Sequence, residues 1–224
     1  MSKMTMDQAY NQNSKKQNEY FRLVNDGDSA RIRFMYRSLS EIETYAVHVV
    51  EVNGRRYTVD CLKDADGQGD CPFCTAGVQR RIQTYFKVFN VDEGLPQIWT
   101  RGIKAAAFIE NGLKMSRSKE ICQDVYRVTR KGVAGDLKTQ YPMTFESYDD
   151  TTLASLPPSV NLDESNTRFI IRATADDMKY YLTNGTLPGI EARQDANQQD
   201  VQPRTAQPRP QASEPMPRRP SNRF

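Results

Sequence analysis

Short alternations of apolar and polar residues, each broken by a turn signal, fill most of residues 19–145. Alternation with period two predicts half-buried strands. Strands are expected over 19–24 and 30–36, on either side of Asn25-Asp26-Gly27. A hairpin is expected where 45–52 and 55–61 flank Asn53-Gly54, because both turn residues accept the positive φ that a two-residue hairpin loop needs. Further strands are expected over 85–91 and 98–100, split at Gly94 and Pro96, and then over 122–130, 139–145 and 168–173. Two stretches carry a helical period instead. Residues 102–119 gather Ile103, Ala106, Ala107, Ile109, Leu113 and Met115 on one rough face. Residues 174–184 begin with a Thr174/Asp177 capping box and stop at Gly185. Many short hairpin-linked strands with one inserted helix predict a mainly β chain, for which an OB-fold barrel is the natural candidate.

The ends break the pattern. Residues 1–18 are polar and are expected to form a flexible arm, and 190–224 form a Pro/Gln/Arg-rich tail without period, expected to be disordered. Residues 19–189 are left as the folded core. Mean hydropathy is −0.73 and no run of eighteen apolar residues occurs, so no membrane span is expected. The N-terminus lacks the apolar stretch of a signal peptide, which suggests a reducing cytoplasm. Four cysteines in that setting point to metal or free thiols rather than disulfides. The net charge of +3 says little, but its distribution says more. Residues 29–138 hold 18 Lys/Arg against 13 Asp/Glu, whereas 139–189 hold three against seven. A basic body beside an acidic lobe suits a face that meets phosphate, although ordinary scatter of surface charge gives the same numbers.

The only histidine is His48, followed by Cys61, Cys71 and Cys74 with spacing H-x12-C-x9-C-x2-C. Cys71-Pro72-Phe73-Cys74 is a knuckle whose two thiolates can share one ion; redox pairs have the same spacing but want a βαβ setting, which the pattern does not show. The hairpin supplies a geometric test. With a two-residue turn at Asn53-Gly54, His48 faces Val59 and Cys61 faces Ala46, so His48 and Cys61 become diagonal neighbours on one face of the ribbon. Diagonal neighbours lie about 7–8 Å apart at Cα, a gap that one zinc ion bridges with bonds of about 2.0 Å to nitrogen and about 2.3 Å to sulfur. The loop from Asp64 to Gly69 is able to bring Cys71 back. Four ligands with none to spare describe a closed, structural Zn2+ site in a subdomain spanning 45–80. Cys122 is expected in the core.

The spacing of those four ligands resembles that of the helix-destabilising single-stranded DNA-binding proteins of T-even and related tailed phages. Arg31-Ile32-Arg33-Phe34 resembles that family's first barrel strand, with Arg33 at the DNA-touching position. Arg80-Arg81, leading to Tyr85-Phe86, resembles its basic pair before an aromatic pair. Trp99 falls where the family has a binding tyrosine, and Tyr141 lies in a late hairpin that carries another contact aromatic. The resemblance covers residues 20–150. It implies an OB fold with a zinc subdomain, sequence-independent binding of single-stranded DNA, and work in replication, recombination and repair in the cytoplasm of the infected bacterium. Phage replication and recombination proteins, and self-association on DNA, are the implied partners. The family's tail is acidic, whereas residues 190–224 have six Arg against four acids.

A sequence-blind binder needs cations along the phosphates and flat rings for exposed bases. The residues expected to serve are Arg33, Arg80, Arg81, Tyr85, Phe86, Lys87, Trp99, Arg101, Arg130, Lys131 and Tyr141. An aromatic on an alternating strand is as readily core as contact. A zinc-ribbon RNA-binding or transcription accessory protein is the alternative function. An enzyme is not expected, since the sole histidine belongs to the metal set and no second catalytic constellation is visible.

The tail yields a first prediction. A net-positive segment cannot compete with DNA for a basic groove. Deleting residues 190–224 should therefore leave folding and zinc intact and lower single-strand affinity slightly, mainly at low salt. Affinity measured at two salt concentrations for full-length and truncated protein checks this, and a clear gain on truncation would identify an inhibitory tail.

Overall fold

The structure, a computed structural model, describes residues 19–64, 66–133, 139–159, 161–162, 169–188 and 190. The expectations for 1–18 and 191–224 lie outside the described residues, while Ile190, expected to open the disordered tail, is buried. Seven antiparallel strands build one sheet: β1 (Ser29–Phe34), β2 (Glu43–Val52), β3 (Arg55–Asp60), β4 (Arg80–Asn90), β5 (Leu95–Gly102), β6 (Asp124–Thr129) and β7 (Met143–Tyr148). Among the described residues three α-helices accompany them: α1 (Pro72–Thr75), α2 (Ile103–Leu113) and α3 (Ala175–Asn184).

The strand order is β3-β2-β4-β1-β6-β7, with β5 on β4. Strand β4 organises the sheet. On one edge it pairs with β2 through Arg80–Tyr85 and with β1 through Val88–Asn90. Its partner β5 spans residues 83–90 of the same strand and so must occupy the other edge. The β2–β3 ribbon is thus an insertion on a five-strand path, β5-β4-β1-β6-β7, with α2 between β5 and β6. Five strands and one helix suit the partly open barrel of an OB fold. The sheet is not closed: no pairing joins β5 to β7 among the described residues. Side chains span that gap instead. Trp99 of β5 meets Tyr141, just before β7, at 5.6 Å between ring centroids. Gly112 of α2 lies so near β7 that a Cβ there would stand 2.9 Å from Met143 Cε.

Period two explains the main core. Ile32 and Phe34 of β1, Phe86 and Val88 of β4, Trp99 of β5, and Tyr126 and Val128 of β6 all point inward, and Ala106, Ile109 and Leu113 of α2 close over them. Helix α2 is shorter than its pattern, ending at Leu113, and leaves Ile103 53% and Met115 80% exposed. The true apolar stripe is the i, i+3, i+7 set Ala106, Ile109, Leu113; Met115 lies beyond the last turn. On the far side of β4 and β5, Tyr85 and Ile98 form a second core with Leu162, Phe169 and Ile170.

Two expected strands shrink to single bridges. Among the described residues, 19–24 form one bridge to β5, at Tyr20, and 169–173 form one bridge to β3, at Ile171. Helix α3 starts and stops as expected, with the Thr174 side chain accepting from the Asp177 amide and Gly185 left-handed at φ 72°.

The hairpin turn has φ 51° at Asn53 and 76° at Gly54. A Cβ at Gly54 meets nothing within 4 Å, so the cost of substitution there is conformational alone. Gly54→Ala should destabilise the fold by about 1–2 kcal/mol, read as a lower midpoint in urea with unchanged slope.

Candidate functional site

The two-residue turn sets the expected register. His48 pairs with Val59, and the Cys61 amide donates to the Ala46 carbonyl at 2.9 Å. Beyond β3 the chain turns on Asp64, whose Oδ1 accepts from the Gln68 amide at 2.7 Å. Cys71 then caps the short helix α1, with Pro72 at its first position. The result is a cluster of His48, Cys61, Cys71 and Cys74 whose four donor atoms lie within 4.8 Å of one another. Cys61 Sγ is 3.7 Å from Cys74 Sγ, and His48 Nε2 is 3.5 Å from Cys71 Sγ and 3.6 Å from Cys74 Sγ. A tetrahedral ion with bonds of about 2.3 Å to sulfur and about 2.0 Å to nitrogen has edges of about 3.8 Å and about 3.5 Å. The cluster can therefore hold one metal ion.

Its electrostatics are compatible with a bound cation. Burial holds the His48 ring below its usual pKa, in the neutral form that a ligand needs. Burial and the neighbouring thiols push Cys74 up to about 12. Burial also opposes ionisation of Cys71, but the amides of Cys74 and Leu62 and the adjacent thiols outweigh it and bring the group below its ordinary value. Three thiolates cannot share this space without a positive charge among them. All four cysteines are free, and Cys122 is buried elsewhere, as expected of a core residue.

Sequence reasoning missed what covers the cluster. Helix α3, about a hundred residues downstream, lays Met178 Sδ 3.9 Å from Cys71 Sγ. Phe73 of the knuckle packs edge-on between His48 and Tyr181, at 5.5 Å from each. The Tyr181 hydroxyl donates to the Glu51 carbonyl at 3.0 Å, and the Ala173 amide donates to Asp60 at 3.2 Å. The apolar positions of α3 gave the only signal, and they did not name their partner.

The expected nucleic-acid residues separate into three groups. Tyr85, Phe86 and Trp99 are fully buried. Alternation sends Tyr85 and Phe86 to opposite faces, and both faces are covered. Arg33 is 7% exposed; its guanidinium donates to the Cys122 and Gln123 carbonyls and pairs with Asp149. Lys87 pairs with Glu43 at 2.7 Å. These five serve the fold.

The second group lies beside the ribbon. Arg80 donates to the Asp64 carbonyl at 2.9 Å and so braces the loop before Cys71, while Arg81 is exposed and, among the described residues, donates to Gln79. The third group is a stack at the gap between β5 and β7. The Arg101 guanidinium lies 3.9 Å over the Tyr141 ring and 4.8 Å over Trp99. Arg130 donates to the Leu23, Gly132 and Val133 carbonyls and to the Tyr141 hydroxyl. Lys131 is exposed next to it. Neither Arg101 nor Arg130 makes an ion pair within 4.0 Å among the described residues, although the Asp28 carboxylate, held below its ordinary value chiefly by the Asn25 amide, lies near enough for Arg130 to contribute. Burial, with Arg130 nearby, pulls Arg101 down to about 10, so it stays charged at neutral pH.

No family model matches the chain, and no curated protein matches it.

Metal analysis should find one ion per chain. Cys61→Ser or Cys74→Ser should remove it, and Cys122→Ser should not. Because loading displaces protons from thiols, affinity should fall as pH is lowered, by about tenfold per unit for each proton displaced. A metal-free protein with a Cys71–Cys74 disulfide would refute the assignment.

Proposed function

We propose that this chain binds single-stranded DNA without regard to sequence, and that its ribbon is held by one structural Zn2+. The carrying observation is the cluster of Arg101, Tyr141 and Arg130: Arg101 lies over the Tyr141 ring, Arg130 donates to its hydroxyl, and neither makes an ion pair within 4.0 Å among the described residues. A cation held over a π-face without an ion-pair partner, as Arg101 is, suits a phosphate–base polymer. Lys131 and Arg81 add exposed charge. Trp99 takes the role of a floor beneath Tyr141 and Arg101 rather than that of a stacking surface.

Zinc is the ion best suited to three thiolates and an imidazole at tetrahedral distances, and four protein donors leave no position for substrate. This supports a binding protein over an enzyme. The ligand spacing supports the resemblance to the phage helix-destabilising proteins. On that reading the chain protects single strands during replication, recombination and repair in the host cytoplasm, alongside phage replication proteins and further copies of itself.

Fluorescence anisotropy with labelled oligo(dT) tests the reading, with oligo(U) and duplex DNA as comparators. Arg101→Ala should weaken oligo(dT) binding about tenfold and flatten the log–log salt slope by about 0.7. Arg81→Ala should act likewise, and it is a cleaner probe than Arg80→Ala, which also loosens the metal loop. Preference for oligo(U) would support the RNA-binding alternative, and an unchanged slope in both variants would remove these arginines from the interface.

A further inference from the structure

At β7 the inner face of the sheet runs out of cover. In the β6–β7 register Val128 faces Met143, Tyr126 faces Phe145 and Asp124 faces Tyr148. Met143, Phe145 and Tyr148 therefore continue the row of core residues on β6. Phe145 packs edge-on against Tyr126 at 6.2 Å, yet it remains 55% exposed, and Tyr148 51%. The chain leaving α2, from Gly112 through the exposed Met115 to Lys119, forms the opposite wall of a groove of about 660 Å³. Strand β7 is the last in the sheet, and among the described residues nothing pairs with its outer edge.

The exposed charged side chains that line this groove, Arg117 and Lys119, are cationic, while Asp124, also in the lining, is buried. Asp124 accepts from the Ser118 and Tyr126 hydroxyls, Glu146 pairs with Arg127 at 2.6 Å, and Asp149 pairs with Arg33. Asp150, just past the end of β7, accepts from the Tyr148 hydroxyl at 3.0 Å. Arg117 and Lys119, both lining the groove, have no ion-pair partner among the described residues.

We propose that this groove receives an extended peptide segment of a partner protein, rich in acidic and apolar residues, that adds to β7 as a further strand. An unpaired edge offers alternating N–H and C=O groups that only another backbone satisfies in full. Period two would send one set of the added side chains onto Met143, Phe145 and Tyr148, and carboxylates at its margin would meet Arg117 and Lys119. The chain's own ends fit poorly. Residues 190–224 are net positive and proline-rich, and the N-terminal arm carries Lys3, Lys15 and Lys16 against a single acid before residue 19. A nucleic-acid strand would suit the two cations and the rings, but it would set phosphates against the carbonyls of β7.

The test uses full-length, metal-loaded, 15N-labelled protein and a synthetic peptide of about ten residues that alternates Asp/Glu with Phe/Ile. Two control peptides carry Lys in place of the acids, or N-methyl groups on alternate amides. The acidic peptide is expected to shift the amides of residues 143–148 and 112–119, and the controls should bind at least about tenfold more weakly. Phe145→Ser and the double variant Arg117→Glu/Lys119→Glu should each lower peptide affinity by about tenfold while leaving metal content and melting temperature unchanged. Equal binding of the lysine peptide, or no shift along β7, would overturn the proposal. So would oligo(dT) displacing the peptide from these amides, which would make nucleic acid the occupant, or a sedimenting dimer lost in Phe145→Ser, which would make it a second copy. None of these outcomes depends on the DNA-binding role of Arg101.

Discussion

The positive φ angles at Asn53 and Gly54 fix a two-residue turn, and that turn sets β2 against β3. Because side chains alternate, a slip of one residue would turn Cys61 away from His48 and move Val59 from the core to solvent. The same register presents Asp60 and the Thr58 carbonyl to residues 171–173, which anchor the chain entering α3. The metal cluster and the helix that covers it thus depend on one local backbone geometry. Beyond the turn, the two elements support each other: Phe73 is held between the ligand His48 and Tyr181, and Met178 lies against Cys71.

What was legible in the sequence was what is local. The Asn53-Gly54 signal gave the hairpin and its register, the spacing of four donors gave the cluster, and Thr174, Asp177 and Gly185 gave both ends of α3. What is set at long range was not legible. Alternation along β4 separates Tyr85 from Phe86, but it carries no information that Leu162, Phe169 and Ile170 cover the second face. A basic residue in a strand reads as surface, yet Arg33 is buried because three oxygens, from Cys122, Gln123 and Asp149, converge on it from elsewhere in the chain. Residues 19–24 have the composition of a strand, but only their first positions find an edge, at Ile98 of β5.

The cationic side chains divide the same way. Lys87, Arg33 and Arg172 are neutralised by acids brought to them by tertiary structure. Arg101 is instead held between rings, where burial weakens its hold on the proton without discharging it. A guanidinium fixed flat against an aromatic loses little further rotamer freedom when a ligand arrives, which favours affinity through preorganisation. The Arg81 side chain, by contrast, is exposed and hydrogen-bonded to Gln79.

With Tyr85 and Phe86 in different cores and Thr84 and Val88 buried beside them, the middle of β4 has almost no position where a substitution would be felt only by solvent. Sequence drift there must be answered by compensating changes on β5, on α2 or at Leu162, Phe169 and Ile170, so the segment should vary as a coordinated block. The freedom to retune what the protein contacts is displaced to the strand's first positions, Arg81 and Ile82, and to the loops, where exposure lets single changes accumulate independently. In descendants of this chain, the exposed positions should diverge quickly while the strand that organises the sheet stays nearly fixed.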